Sequence, residues 1–145
     1  MPLHFVHPVH RATHRIGLYL SELREDELSQ GEAHILALLA HSSPATIADL
    51  HRGLAHKRST LTSILDRLVD RGLITRKVGQ SDRRTFVITP TGKGRKLAQR
   101  VNRHLCDLER AVVRRVSAAD IKGFKNVVSA LEQEAHHRTG ANCRR

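Results

Sequence analysis

A mainly helical chain carrying one small β-hairpin is predicted by three observations in its 145 residues. Apolar side chains recur every three or four positions along most of the chain, the spacing of helices with one buried face. That spacing fails only after Gly72, where the β-prone runs Leu73, Ile74 and Val78 and then Phe86, Val87 and Ile88 flank Gly79, Gln80, Ser81 and Asp82. Aromatics are 3% of a composition that is 39% apolar, so the core must be assembled from Leu, Val, Ile and Ala.

The first helix is predicted from Val9 to Leu23, where Val9, Ala12, Ile16, Tyr19, Leu20 and Leu23 form one stripe. Ser29 with Glu32 three residues on reads as a capping box that opens a second helix, through Ala33 to Ala40. His41, Ser42, Ser43 and Pro44 break it, and Thr46 with Asp49 repeats the cap signature ahead of a short third helix, Ile47 to about Leu54. A fourth is expected from about Arg58 to Arg71, with Leu61, Ile64, Leu65 and Leu68 inward and Gly72 as its stop. After the hairpin, Pro90 and Thr91 end the second strand. Leu97, Val101, Leu105, Leu108, Val112 and Val116 then mark a helix of about seven turns. Ser117 with Asp120 caps a last helix striped by Ile121, Phe124, Val128, Leu131 and Ala135, and from His136 the chain turns polar and is expected to fray.

Charge supplies the functional direction. The 25 basic residues outnumber the 14 acidic ones, and the segment 57–100 holds twelve of the former against three of the latter, so it carries +9 of the formal +11. A solubilising charge would be spread out, whereas one focused on a reading surface suits a polyanion such as double-stranded DNA. Helix, short breaker, helix, then a hairpin with arginines at its turn is the winged helix-turn-helix plan, in which the second helix of the pair enters the major groove. By exclusion from the apolar stripe, the DNA-binding candidates there are Ser59, Thr60, Thr62, Ser63 and Arg67, with Lys57 and Arg58 at the helix start and Arg76 on the following strand. Arg83 and Arg84 at the hairpin tip suit a narrow minor groove, with Asp82 placed to orient the wing by holding a guanidinium.

Thr62, Asp66, Arg67, Leu68, Gly72, Leu73, Ile74, Arg76, Asp82, Arg84, Thr91 and Gly94 together resemble the signature of the MarR family of transcriptional regulators. Two positions depart from it: Pro90 stands where Leu usually precedes the Thr that opens the next helix, and Ser63 where relatives are often basic. The resemblance implies a homodimer in which the first and last two helices of both chains interlock and two winged domains straddle a pseudo-palindrome, most commonly to repress transcription. The residues point the same way, because the small domain cannot cover the stripes of the first, fifth and sixth helices at once. The domains expected are an N-terminal dimerisation helix (1–28), the winged domain (29–90), C-terminal dimerisation helices (91–136) and a flexible tail (137–145). Reading helices about 34 Å apart imply an inverted repeat of roughly 16 to 20 base pairs. Neutralising about eight phosphates implies a log-log salt slope near −7.

The resemblance further implies release by a small aromatic or lipophilic ligand, for which Arg11, Arg15 and Tyr19 on the first helix offer a carboxylate grip and a stacking ring. The plainer reading of the three is a wetted helix face. His10 and His14 have a chelating i, i+4 spacing with no Cys or carboxylate beside them, so no metal and no cofactor is expected. Cys106 reads as a small residue at a helical interface and Cys143 as part of the tail, which leaves metal- or thiol-responsive regulation as alternatives. An enzyme is not expected, since phosphate loop, nucleophile triad and paired carboxylates are all missing. An RNA reader would carry more stacking aromatics. A sequence-tolerant architectural DNA binder is the other alternative. No Lys or Arg precedes an apolar run at the N-terminus and no apolar segment reaches 18 residues, so a soluble cytoplasmic protein without a membrane partner is expected.

Overall fold

The computed structural model describes residues 2–23 and 27–142, with side chains to residue 139, so Cys143 and the last residues lie outside the described ones. In chain order the elements are α1 (Val6–Glu22), α2 (Gln30–His41), β1 (Ala45–Thr46), α3 (Ile47–Leu54), α4 (Arg58–Asp70), β2 (Ile74–Val78), β3 (Phe86–Pro90), α5 (Gly92–Val113) and α6 (Ala118–Asn142). The fold is mainly helical with a winged sheet, as the sequence predicts.

Local chemistry sets most boundaries. Thr46 and Asp49 form a complete capping box, with hydroxyl and carboxylate each bonding the other residue's backbone N–H, and α3 runs over Ile47–Leu54. Ser117 and Asp120 build the same box at the start of α6. At Ser29 the box is only half made: the Ser29 hydroxyl accepts from the Glu32 N–H at 3.2 Å, while the Glu32 carboxylate points elsewhere. Pro8 lies inside the first turn of α1, where a missing N–H costs nothing, so the helix starts three residues before the predicted Val9.

Two differences from the sequence expectations have local causes. α5 ends at Val113 rather than Val116, because 114–116 turn toward the Ser117 cap and the Arg115 N–H bonds the Val112 carbonyl at 2.8 Å. α6 continues past His136 to Asn142, helped by a Glu134–Arg138 pair at 3.6 Å and the Thr139 hydroxyl on the Ala135 carbonyl.

The sheet has three strands rather than two, in the order β1-β3-β2 and antiparallel throughout. β1 pairs Ala45 with Ile88 and Thr46 with Val87, giving β3 partners on both sides. Pro90 sits at the last position of β3 opposite Ile74, where an absent N–H is tolerated.

One core joins the winged unit to the start of α5. Ile35, Leu36 and Leu39 of α2 meet Leu50, then Leu61, Leu65 and Leu68 of α4, Ile74 and Ile88 of the sheet, and Leu97, Ala98 and Val101 of α5. α1 contributes Leu20 to it, and no described side chain of α6 belongs to it.

Candidate nucleic-acid interface

Every inward position predicted for α4 is buried: Leu61, Ile64, Leu65 and Leu68 are each at most 4% exposed. The intervening residues Arg58, Ser59, Thr60, Thr62, Ser63, Asp66 and Arg67 are all exposed. A 3.6-residue period thus divides the helix into a face that anchors it and a face of hydroxyls and guanidinium groups. Thirteen residues make a rod of about 20 Å, a length that suits a major groove. No side chain caps its start at Lys57, and Lys57 and Arg58 are both exposed there. Among the hydroxyls, Ser63 is committed to the Ser59 carbonyl at 3.0 Å, which leaves Ser59, Thr60 and Thr62 as the hydroxyls without a described partner.

The end of α4 is fixed by three residues of the predicted signature. Gly72 adopts φ +67, a left-handed conformation that lets the chain leave the helix and enter β2. The Thr91 hydroxyl donates to the Gly72 carbonyl at 2.7 Å while accepting from the Gly94 N–H at 3.0 Å, so one side chain caps α5 and clasps the turn after α4. Gly94 packs directly on Leu73, and a Cβ there would overlap the Leu73 carbonyl oxygen.

The wing is ordered differently from the expectation at Asp82. Its carboxylate accepts from the backbone N–H of Arg84 at 2.9 Å rather than holding a guanidinium, and its carbonyl accepts both the N–H and the hydroxyl of Thr85. This short carboxylate closes an Asx turn, because a neighbouring N–H two residues on is nearer than any guanidinium. Asp82 therefore orients the wing through the backbone. Arg83 and Arg84 are exposed at the tip, and no described residue pairs with either guanidinium.

Two other candidates for DNA contact have acidic partners within the protein. Arg76 of β2 is half buried, pairs with Asp66 of α4, and lies over the Phe86 ring of β3 with its guanidinium carbon 5.8 Å from the centroid. It braces the wing against α4 instead of standing free. Arg67 gives its Nε–H to Glu32 Oε1 at 3.0 Å, and Arg71 gives Nη1–H to Glu32 Oε2 at 2.9 Å. Glu32 is a residue that the sequence reading misses as part of this site, since Ser29 three positions earlier makes it look like half of a cap. The available signal is Arg67 and Arg71 at i, i+4, which places two cations on one edge of α4.

The remaining candidates lie apart from α4. Arg11 and Arg15 face solvent, and Tyr19, half buried, donates its hydroxyl to the His104 carbonyl of α5 at 3.4 Å. These three do not line the open cleft of about 360 Å³ bounded by Leu38, Ser42, Ser43, Pro44, Ala45 and Asp49. His10 and His14 stack edge to face with centroids 4.6 Å apart, and no group of three or more His, Cys, Asp or Glu among the described residues is arranged to hold a metal. Cys106 is a half-buried free thiol. No described helix is long and apolar enough to cross a membrane.

The same geometry recurs in known proteins. Residues 28–86 match the MarR family profile. The uncharacterized HTH-type transcriptional regulator YpoP of Bacillus subtilis (strain 168) is 32% identical over 83 residues, which span 57% of this chain and 59% of YpoP. The chain thus matches under two thirds of that relative's length. Among solved structures, S. aureus MepR in its DNA complex superposes with a TM-score of 0.77 at 20% identity, covering 92% of this chain and 99% of MepR. PcaV from Streptomyces coelicolor, in complex with its natural ligand, gives 0.76 at 17% identity, covering 92% and 94%. The family profile lies across the helix pair and most of the wing, so over residues 28–86 the chain is similar to the MarR family, and over most of its length it shares the fold of these solved regulators.

Proposed function

We propose that the protein is a sequence-specific transcriptional regulator, a repressor, that binds a pseudo-palindromic duplex as a homodimer in the cytoplasm and carries out no catalysis. One observation carries this reading. The exposed face of α4, with Thr60 and Thr62 in its first half, and the guanidinium groups of Arg83 and Arg84, with which no described residue pairs, are held in fixed relation by the Asp66–Arg76 brace. Hydroxyls suit base edges and phosphate oxygens, and a tip of two arginines suits a narrow minor groove. The dimer is supported by apolar surface that one chain leaves open: Leu18 on α1, Val112 and Val113 on α5, and Phe124 on α6 are 51–64% exposed. A second copy is the natural cover for such a stripe. Control by a small aromatic anion fits α1, where Arg11 and Arg15 are exposed beside Tyr19 and its link to α5.

Selection of bound fragments from random duplexes tests the proposal. The wild-type protein is expected to enrich an inverted repeat of roughly 16 to 20 base pairs. Arg84→Ala is expected to weaken all sites alike, and Thr62→Ala to relax the enriched motif. Enrichment of no motif would favour a sequence-tolerant DNA binder.

A further inference from the structure

Glu32 is the one buried charged side chain among the described residues, at 5% exposure. It lies in the first turn of α2, and its two oxygens are divided between Arg67 and Arg71, on successive turns of α4. A residue needed only to complete the Ser29 cap would not have to be a carboxylate, because Gln closes a capping box equally well. Nor would it have to be buried. Taking a carboxylate out of water is costly, and here two charge-assisted bonds compensate it, one to each arginine.

The two arginines are held by different atoms. Arg71 is gripped at Nη1 and its side chain is 33% exposed, whereas Arg67 is gripped at Nε and is 52% exposed. A guanidinium held at Nε still has its two Nη groups to offer, and no described residue engages those of Arg67. Arg67 shares the exposed face of α4 with Ser63 and Thr60 at i−4 and i−7.

We propose that Glu32 is a positioning residue for DNA binding. It clamps α4 to α2 at two successive turns, and it presents the Nη edge of Arg67, already ordered, to a backbone phosphate of the duplex. This rests on the DNA-binding reading given above. An arginine fixed in advance loses less rotamer freedom on contact, so the buried carboxylate strengthens the specific complex without touching DNA. Removing the carboxylate also removes a negative charge from beside the interface. Binding to random duplex is therefore held or increased while the specific complex weakens, a combination that simple unfolding does not produce.

The test compares Glu32→Gln, Arg67→Ala and the double variant on a selected duplex and on a scrambled one, across a salt series, with thermal melts of each protein. Glu32→Gln is expected to lower affinity for the selected duplex roughly tenfold or more and to leave scrambled binding unchanged or tighter. Arg67→Ala is expected to reduce the magnitude of the salt slope by about 2 per dimer, one phosphate being lost from each half. In the Arg67→Ala background, Glu32→Gln should add little. Equal losses on both duplexes, or an undiminished effect of Glu32→Gln without Arg67, would overturn the proposal. Should Glu32→Gln fail to fold, Arg67→Lys decides: it keeps the charge but has no Nε–H, so it should lose selected-duplex affinity, and wild-type behaviour would overturn the proposal. If the wild-type protein itself does not distinguish the two duplexes, the DNA-binding reading fails first and the role of Glu32 falls with it.

Discussion

The winged unit and the α5–α6 arm are built from the same residue types, yet one chain completes the first and not the second. In the winged unit each stripe meets another: Leu65 of α4 and Leu36 of α2 are wholly buried, and Ile88 of β3 is covered as well. Along the arm, burial stops at Val101, and beyond it Val112, Val113, Val116 and Phe124 stay open to solvent. Both regions have helical periodicity, so periodicity alone does not say what covers a stripe. In the proposed homodimer the winged unit's stability is intramolecular, and the arm's depends on association.

That contrast is broken most directly in the core. Leu65→Ala should cost about 2–5 kcal/mol, read as a shift of the unfolding midpoint that does not depend on protein concentration. Stabilisation of both regions by the second copy would instead make the shift concentration dependent. On the arm, Phe124→Asp should leave the winged unit folded and raise the dimer dissociation constant by roughly a hundredfold or more, measured by sedimentation. An unchanged association state would place Phe124 outside the interface.

Acid gives a smaller and sharper probe, confined to the α2–α3 side and the α6 cap. Burial holds the His34 imidazole below its ordinary 6.5, and the neighbouring charge of His56 lowers it further. The neutral form is therefore favoured in the fold, and the stability it supports is present above 6.5 and falls as pH drops through the lowered value. Asp49 is held below its ordinary 3.8 first by the Thr46 backbone N–H, then by the Thr46 hydroxyl and Arg52. Asp120 is held low first by the Ser117 hydroxyl, then by its backbone N–H. Both contributions are present above 3.8 and are lost as pH falls through the depressed values. The unfolding midpoint should thus decline in two stages on acidification. His34→Gln should flatten the upper stage, and a stage that persists unchanged would assign it to another group.

The sequence makes legible whatever is decided within a few residues. α3 falls where Thr46 and Asp49 place it, and α4 buries the four residues its stripe names, because caps and amphipathic faces are local properties. β1 is not legible: two residues have no period, and Ala45 and Thr46 become a strand only by pairing with Ile88 and Val87, more than forty positions away. The three cap signatures explain the rest of the difference. Asp49 and Asp120 are too short to reach beyond their own turn and fold back on it, whereas Glu32 has one more methylene and two arginines within reach. Arg67 and Arg76 look like free DNA contacts in the sequence for the matching reason, since their acidic partners are 35 and 10 residues away.

Equilibrium binding of the purified protein to its selected duplex and to a scrambled duplex, across a salt series, tests the central claim most directly. Two chains are expected per selected duplex, with a preference on the order of a thousandfold or more and a log-log salt slope near −7. Equal affinity for the two duplexes, or a slope near zero, would contradict it.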